Sequence, residues 1–367
     1  MKKLLYIFLS VSIIFSACKK EEEEPVNNNT GNTTVLTWEK TYFDGAGDQK
    51  GGAFCINQTS DGGYIFLSKS VTATHMIMKI DKYGDEQWSQ LQYDDFNDFD
   101  YLAKTNDGGF IVAGMIDTAT SHYNSRIHLL KLNEFGNQQW NTEINQSSGG
   151  VEYVSETNDG GYIISSNDTL VKTNSQGVLV WKKGIKQTVI FHTNDGGYIA
   201  SDDDSLIKIN SNGNIEWESH TFTNPLPSYY SFESIEQTND GGYVLGGSVG
   251  NKTERELVLA KTDANGNVQW EKKFGGDSNG EIAKQTSDGG YIIVGDKTAV
   301  GGSKDVYFVK TDANGNQEMN KAFGGTDYDY GISVEQTSDG GYIIGAETES
   351  FGNDNIYIIK VDEYGNL

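Results

Sequence analysis

Two short motifs, each repeated seven times, constrain this chain more than any other feature. Asp-Gly-Gly begins at Asp61, Asp107, Asp159, Asp195, Asp240, Asp288 and Asp339. Lys-x-Asp/Asn-x-x-Gly begins at Lys79, Lys131, Lys172, Lys208, Lys261, Lys310 and Lys360. Successive Asp-Gly-Gly positions lie 46, 52, 36, 45, 48 and 51 residues apart. A period of that size means stacked supersecondary units, each unable to bury its apolar face alone.

A third element follows the second glycine motif by four residues: Trp88, Trp140, Trp181, Trp217 and Trp270, with Met319 in the sixth repeat. The seventh repeat reaches Leu367 before its own. The missing piece stands near the other end, where Thr37-Trp38-Glu39-Lys40 matches Gln269-Trp270-Glu271-Lys272. The repeat is therefore permuted along the chain, which implies a closed ring.

Each repeat reads as four strands. The first carries an apolar residue three positions before a Thr: Ile56, Leu102, Val154, Ile190, Ile235, Ala283 and Val334. Asp-Gly then supplies the positive φ angles of a tight hairpin. The second and third strands are the Gly-Tyr-Ile-Ile and Tyr-Phe-Val-Lys types of run, and the fourth carries the tryptophan. Seven four-stranded antiparallel units around an axis make an all-β, seven-bladed β-propeller, closed by the N-terminal strand completing the last blade. This domain is expected to span residues 35–367.

Two segments precede it. Residues 1–17 have two lysines, an apolar run from Leu4 to Phe15 and small residues before Cys18, the pattern of a cleaved export signal. Residues 18–34 run from Lys19-Lys20 through Glu21 to Glu24 into Asn, Thr and Gly, too polar to order themselves, and read as a tether. Once Cys18 is set aside, only Cys55 remains, so stability must come from burial and not from a disulfide. The net charge is −24, with Arg126 and Arg255 the only arginines. A phosphate backbone needs a basic surface, so nucleic acid is excluded as a partner.

These residues carry family resemblances. Phe15-Ser16-Ala17-Cys18 resembles the bacterial lipobox, which implies a lipid on Cys18 and a membrane partner through that anchor. The acidic cluster after it resembles a surface-export signal, implying an outer-membrane lipoprotein at the cell surface. The repeat over residues 35–367 resembles the bacterial seven-bladed propeller repeats of secreted and lipid-anchored proteins. The Asp-x-x-Gly-x-x-x-Trp portion is similar, more weakly, to the docking-tryptophan motif of quinoprotein-type propellers and of the lipoprotein scaffold of the outer-membrane barrel assembly machine. Those commonly have eight blades, and seven repeats favour the first group.

Sharper motifs do not hold. Thr59-x-Asp61-x-Gly63-x-x-Phe66 resembles the aspartate box of sialidases, but two arginines cannot clamp a sugar carboxylate as three would. Asp263-x-Asn265-Gly266-Asn267 resembles a calcium loop, yet Phe274 stands where a bidentate Glu is required. His75, His122, His128, His192 and His220 show no zinc spacing, and Cys55 reads as a small buried hydrophobe.

In four-stranded blades the first and third turns share one face, and the second turn and the connections between blades share the other. The first face is uniform here, while the second varies, and binding residues concentrate on variable loops held by a rigid scaffold. Those loops carry Asp94, Asp95, Phe96, Asp98 and Phe99, then Tyr229 and Tyr230, then Asp327, Tyr328, Asp329 and Tyr330. Carboxylates among aromatics suit sugar rings, and equally a basic peptide or calcium. The expectation is a non-catalytic, lipid-anchored envelope propeller binding an extracellular ligand, a glycan first and a peptide or protein second, with no cofactor and calcium left open. The alternatives are a propeller enzyme, either a glycan hydrolase or a quinone-dependent dehydrogenase, and an outer-membrane assembly scaffold.

Overall fold

The computed structural model describes residues 35–43, 51–53, 55–70, 74–93, 97–116, 126–145, 150–186, 189–201, 205–220, 222, 229–251, 254–352 and 354–367. Cys18 and the expected signal and tether lie outside them. The described residues form seven blades of four antiparallel strands and no helix. Blade two is typical: Asn97–Lys104 pairs Phe110–Ile116, which pairs Arg126–Leu132, which pairs Gln138–Asn145. From blade two to blade seven, and from blade seven to blade one, the first strands of successive blades contact one another around the axis.

Closure follows the expected register. Trp38–Tyr42 pairs antiparallel with the last strand of blade seven, Trp38 opposite Lys360 and Tyr42 opposite Ile356. The same strand ties blade seven to blade one. Lys40 reaches Asp85 at 2.6 Å, and the Tyr42 hydroxyl donates to the Gly84 carbonyl at 2.6 Å. Gly52 of blade one pairs with Glu347 of blade seven, so the two blades form one continuous sheet.

Three devices explain the repeated residues. First, each buried lysine reaches the aspartate of its own blade's Asp-Gly-Gly turn, at 2.8–3.1 Å in blades two to seven and also from Lys79 to Asp61. The lysine side chains are only 1–9% exposed, and a charge that deep must be paired. The Thr before each turn donates to the same carboxylate. Burial raises these carboxyls, but the lysine and threonine bonds outweigh it and hold Asp159, Asp195 and Asp288 at about 2.

Second, each tryptophan docks on the glycine of the next blade's third turn. Gly136, at φ 80°, has no room for a Cβ because Trp88 lies 3.0 Å from where it would stand. Trp38 closes the series on Gly84, at the same 3.0 Å, and donates its indole N–H to the Lys82 carbonyl. Under most of these indoles lies the tyrosine of the Gly-Tyr run, edge-on in the Trp38–Tyr64 and Trp270–Tyr291 pairs.

Third, in four blades the glutamine that ends the first strand clips the neighbouring blade. Asn194 N–H donates to Gln237, Asn239 to Gln285, Ser287 to Gln336, and Ser338 to Gln58 across the ring closure, all at 2.7–2.8 Å. The last of these joins residues 280 positions apart.

Deleting Val35–Phe43 should leave blade seven with three strands and an open edge, and the melting temperature should fall steeply. Trp38→Ala alone should cost about 3 kcal/mol, the low end for a large aromatic because this one is only half-buried. Chemical denaturation measures both, and an unchanged midpoint in the deletion would refute closure.

Candidate functional site

The strand pleat and one irregularity build the axial channel. The residue three before each Thr faces the core: Ile56, Leu102, Val154, Ile190, Ile235, Ala283 and Val334 are all buried. The residues two and four before it therefore face the axis. The first strands then slip register at Phe99/Tyr101, Val151/Tyr153, Phe232/Ser234, Gly280/Ala283 and Gly331/Ser333. These are β-bulges, which re-aim side chains and recur beside functional sites. Asp100, Glu152, Glu233 and Glu281 occupy four of the five bulges.

This collar of acids sits toward the variable-loop end of the channel. Burial first, and then the Glu233 and Asp296 carboxylates, push Glu281 up to about 8, against opposing Lys304 and Arg255. Glu152 is also raised, by burial, although Ser165 donates to it at 2.7 Å. Asp100 accepts the Val151 N–H at 2.8 Å.

Below the collar lie two adjoining cavities of about 240 and 100 Å³. Tyr101, Tyr153, Phe191, Ile282 and Lys284 line both. The three aromatics form a continuous wall, with ring centroids 5.3 Å apart for Tyr101–Tyr153 and 6.3 Å for Tyr153–Phe191. Glu236 and Lys284, each two residues before its blade's Thr, also line this space, while Glu335 at the same position in blade seven accepts the Gln58 N–H and pairs with Lys104. Burial raises Glu236, with Lys284 opposing. Cys55 also lines the larger cavity, where burial pushes its thiol up to about 12 and keeps it protonated at neutral pH.

On the variable face, blade seven presents a tyrosine platform. Tyr328 and Tyr330 stack with centroids 6.1 Å apart and planes 9° from parallel, and Tyr328 is 40% exposed. The Lys304 ammonium lies 5.7 Å from the Tyr330 ring centre and pairs with Asp296 at 2.7 Å. Asp327 is exposed beside them.

Residues 124–363 match the family described as outer membrane protein assembly factor BamB. The chain belongs to this family. No curated protein sequence matches the BamB-family chain. Its fold is similar to that of the WD40 domain of Neurospora crassa Pan2, at 11% identity and TM-score 0.58, covering 88% of this chain and 93% of that one. It is also similar to the extracellular domain of a putative one-component system from B. thetaiotaomicron, at 10% identity and TM-score 0.53. That match takes in 90% of this chain and spans 43% of the other. At such identities the likeness concerns the fold alone.

The BamB-family propeller redistributes the residues expected to bind. Asp94, Asp95 and Phe96 lie outside the described residues. Asp98, Phe99, Tyr229, Asp329 and Tyr330 belong to first strands and not to loops. Their strands run longer than the sequence pattern shows because each bulge breaks the alternation. Phe99 is 1% exposed and packs between His75 and His128, so it is core and not a ligand contact. Asp329 is fully buried, accepting from Thr348, Ser350 and the Gly325 N–H, so it organises its loop. Tyr230 is half-buried, stacked on Phe232 and donating to Glu271 at 2.7 Å. Tyr328, Tyr330 and Asp327 stand together at the N-terminal end of blade seven's first strand. The acid collar escaped the sequence reading, although a carboxylate five residues before the Thr in four repeats was there to be seen.

Because Glu281 is raised, its contribution to stability is full below the ordinary value of 4.5 and is lost as pH rises through about 8. Glu281→Gln should remove that dependence. Between pH 5 and 9 the wild-type melting temperature should decline more than that of the variant, and parallel curves would show that Glu281 ionises normally.

Proposed function

We propose that this chain is a non-catalytic, lipid-anchored propeller of the outer membrane, facing the cell exterior, that binds an extracellular glycan on its variable-loop face. The observation that carries the reading is the Tyr328–Tyr330 platform, an exposed aromatic surface flanked by Asp327 and the Lys304–Asp296 pair. A sugar stacks its apolar face on such rings while its hydroxyls exchange hydrogen bonds with neighbouring carboxylates. Carboxylates at the channel mouth extend the acidic surface and select for neutral or cationic ligands. An acidic quinone would meet like charge at that mouth.

An envelope location is supported by the family's description as an outer-membrane assembly factor. The anchor rests on the lipobox-like run ending at Cys18 and the acidic stretch after it. That family description also favours a polypeptide as the second class of ligand, bound to the same face.

A glycan and peptide array, run with and without calcium, separates these readings. Hits among glycans support the first, and hits confined to peptides replace it with the second. Tyr328→Ala with Tyr330→Ala should weaken binding at least tenfold, about 1.4 kcal/mol, with little change in melting temperature. Undiminished binding by that variant to every hit would move the site elsewhere. Cys18→Ala should release the protein from the membrane fraction, and its retention there would contradict the anchor.

A further inference from the structure

The axial cavity is separate from the tyrosine platform and has a chemistry of its own. Its wall on blades two to four is aromatic: Tyr101, Tyr153 and Phe191. Its wall on blades five and six is charged with opposite signs, Glu236 and Lys284 occupying the same level of adjacent first strands.

Both charged groups have capacity to spare. One oxygen of Glu236 accepts the Gln285 N–H, which ties blade five to blade six. The other, Oε2, is sequestered without a hydrogen-bond partner among the described residues. A buried carboxylate oxygen left so costs free energy that a donor would recover. No described residue forms a hydrogen bond or ion pair with the Lys284 ammonium, although it lines both cavities. Glu236 and Lys284 feel each other through space, yet do not close into a bridge. Two opposite charges held apart at one level can receive a molecule that carries both charges.

Size narrows the class. At about 240 Å³ with a 100 Å³ extension, the space falls near or below the ~300–1,000 Å³ typical of drug-sized ligand sites. It suits a small metabolite and not a polymer. Glu152 and Glu233 of the collar line the smaller cavity. Collar carboxylates attract the ammonium end first.

We propose that the axial cavity is a binding site for a free α-amino acid with an apolar or aromatic side chain. A turn of the Glu236 carboxylate brings Oε2 from its closed position to accept from the ammonium, Lys284 donates to the carboxylate, and the Tyr101–Tyr153–Phe191 wall takes the side chain.

The test is isothermal titration of the purified protein with L-phenylalanine and L-leucine, alongside two analogues of phenylalanine. One is phenethylamine, which lacks the carboxylate, and the other is 3-phenylpropionate, which lacks the ammonium. Saturable one-to-one binding of an amino acid is expected, with each analogue at least tenfold weaker. Glu236→Gln and Lys284→Met should each weaken the amino acid at least tenfold. Because these analogues act on the wild-type protein, a variant that fails to fold leaves the question decided. No binding of either amino acid would overturn the assignment, as would phenethylamine binding as tightly as phenylalanine, which would mark a simple cation site. Binding undiminished in both folded variants would also overturn it. Glycan binding is read separately on the platform variants, so either site can fail without the other.

Discussion

The ring depends on one contact made seven times: a large side chain on the last strand of each blade lies flat on a glycine in the next blade. The glycine sits at φ of 70–80° in the third turn, where a Cβ would collide with the docked indole. Left-handed backbone and close approach are both permitted only to glycine without strain. Six tryptophans fill this role, and in the sixth blade Met319 replaces the ring with a flexible thioether over Gly365. Because Trp38 docks on Gly84 as Trp88 docks on Gly136, the join between the two ends of the fold is chemically like every other joint. No edge strand is left unpaired at that join.

With the ring held from outside by these dockings and from inside by the glutamine clips, the innermost strands can carry expensive residues. Bulges and raised carboxyls occur there, together with Lys284, which no described residue pairs. The motif lysines differ: every one meets an aspartate, with a threonine donating to the same carboxylate. The contrast separates charges that hold the fold from charges available to a ligand, and it places the second group along the axis.

The fold was legible in the sequence because its causes are local. Asp-Gly-Gly turns, the glycine and tryptophan at fixed offset, and the orphan Trp38 together dictate strand count, blade count and closure. The union of the repeated Lys with the repeated Asp was not legible, since it joins two motifs 13 to 24 residues apart in sequence. The channel was hidden for a further reason. A bulge adds one residue to a strand, so the alternation that marks inward and outward positions changes phase in the middle. Reading straight through that point sent Phe99 and Asp329 to the surface when both are buried, and left Glu233 and Glu281 unremarked.

Closure by the N-terminal strand underlies the channel, the platform on blade seven and the neighbouring acid collar alike. Amide hydrogen exchange measures it most directly. If Trp38–Tyr42 is the fourth strand of blade seven, its amides should exchange nearly as slowly as those of Ile356–Lys360, to which it is hydrogen-bonded. Exchange of residues 38–42 at the rate of an unstructured peptide, while residues 356–360 stay protected, would contradict the closed ring.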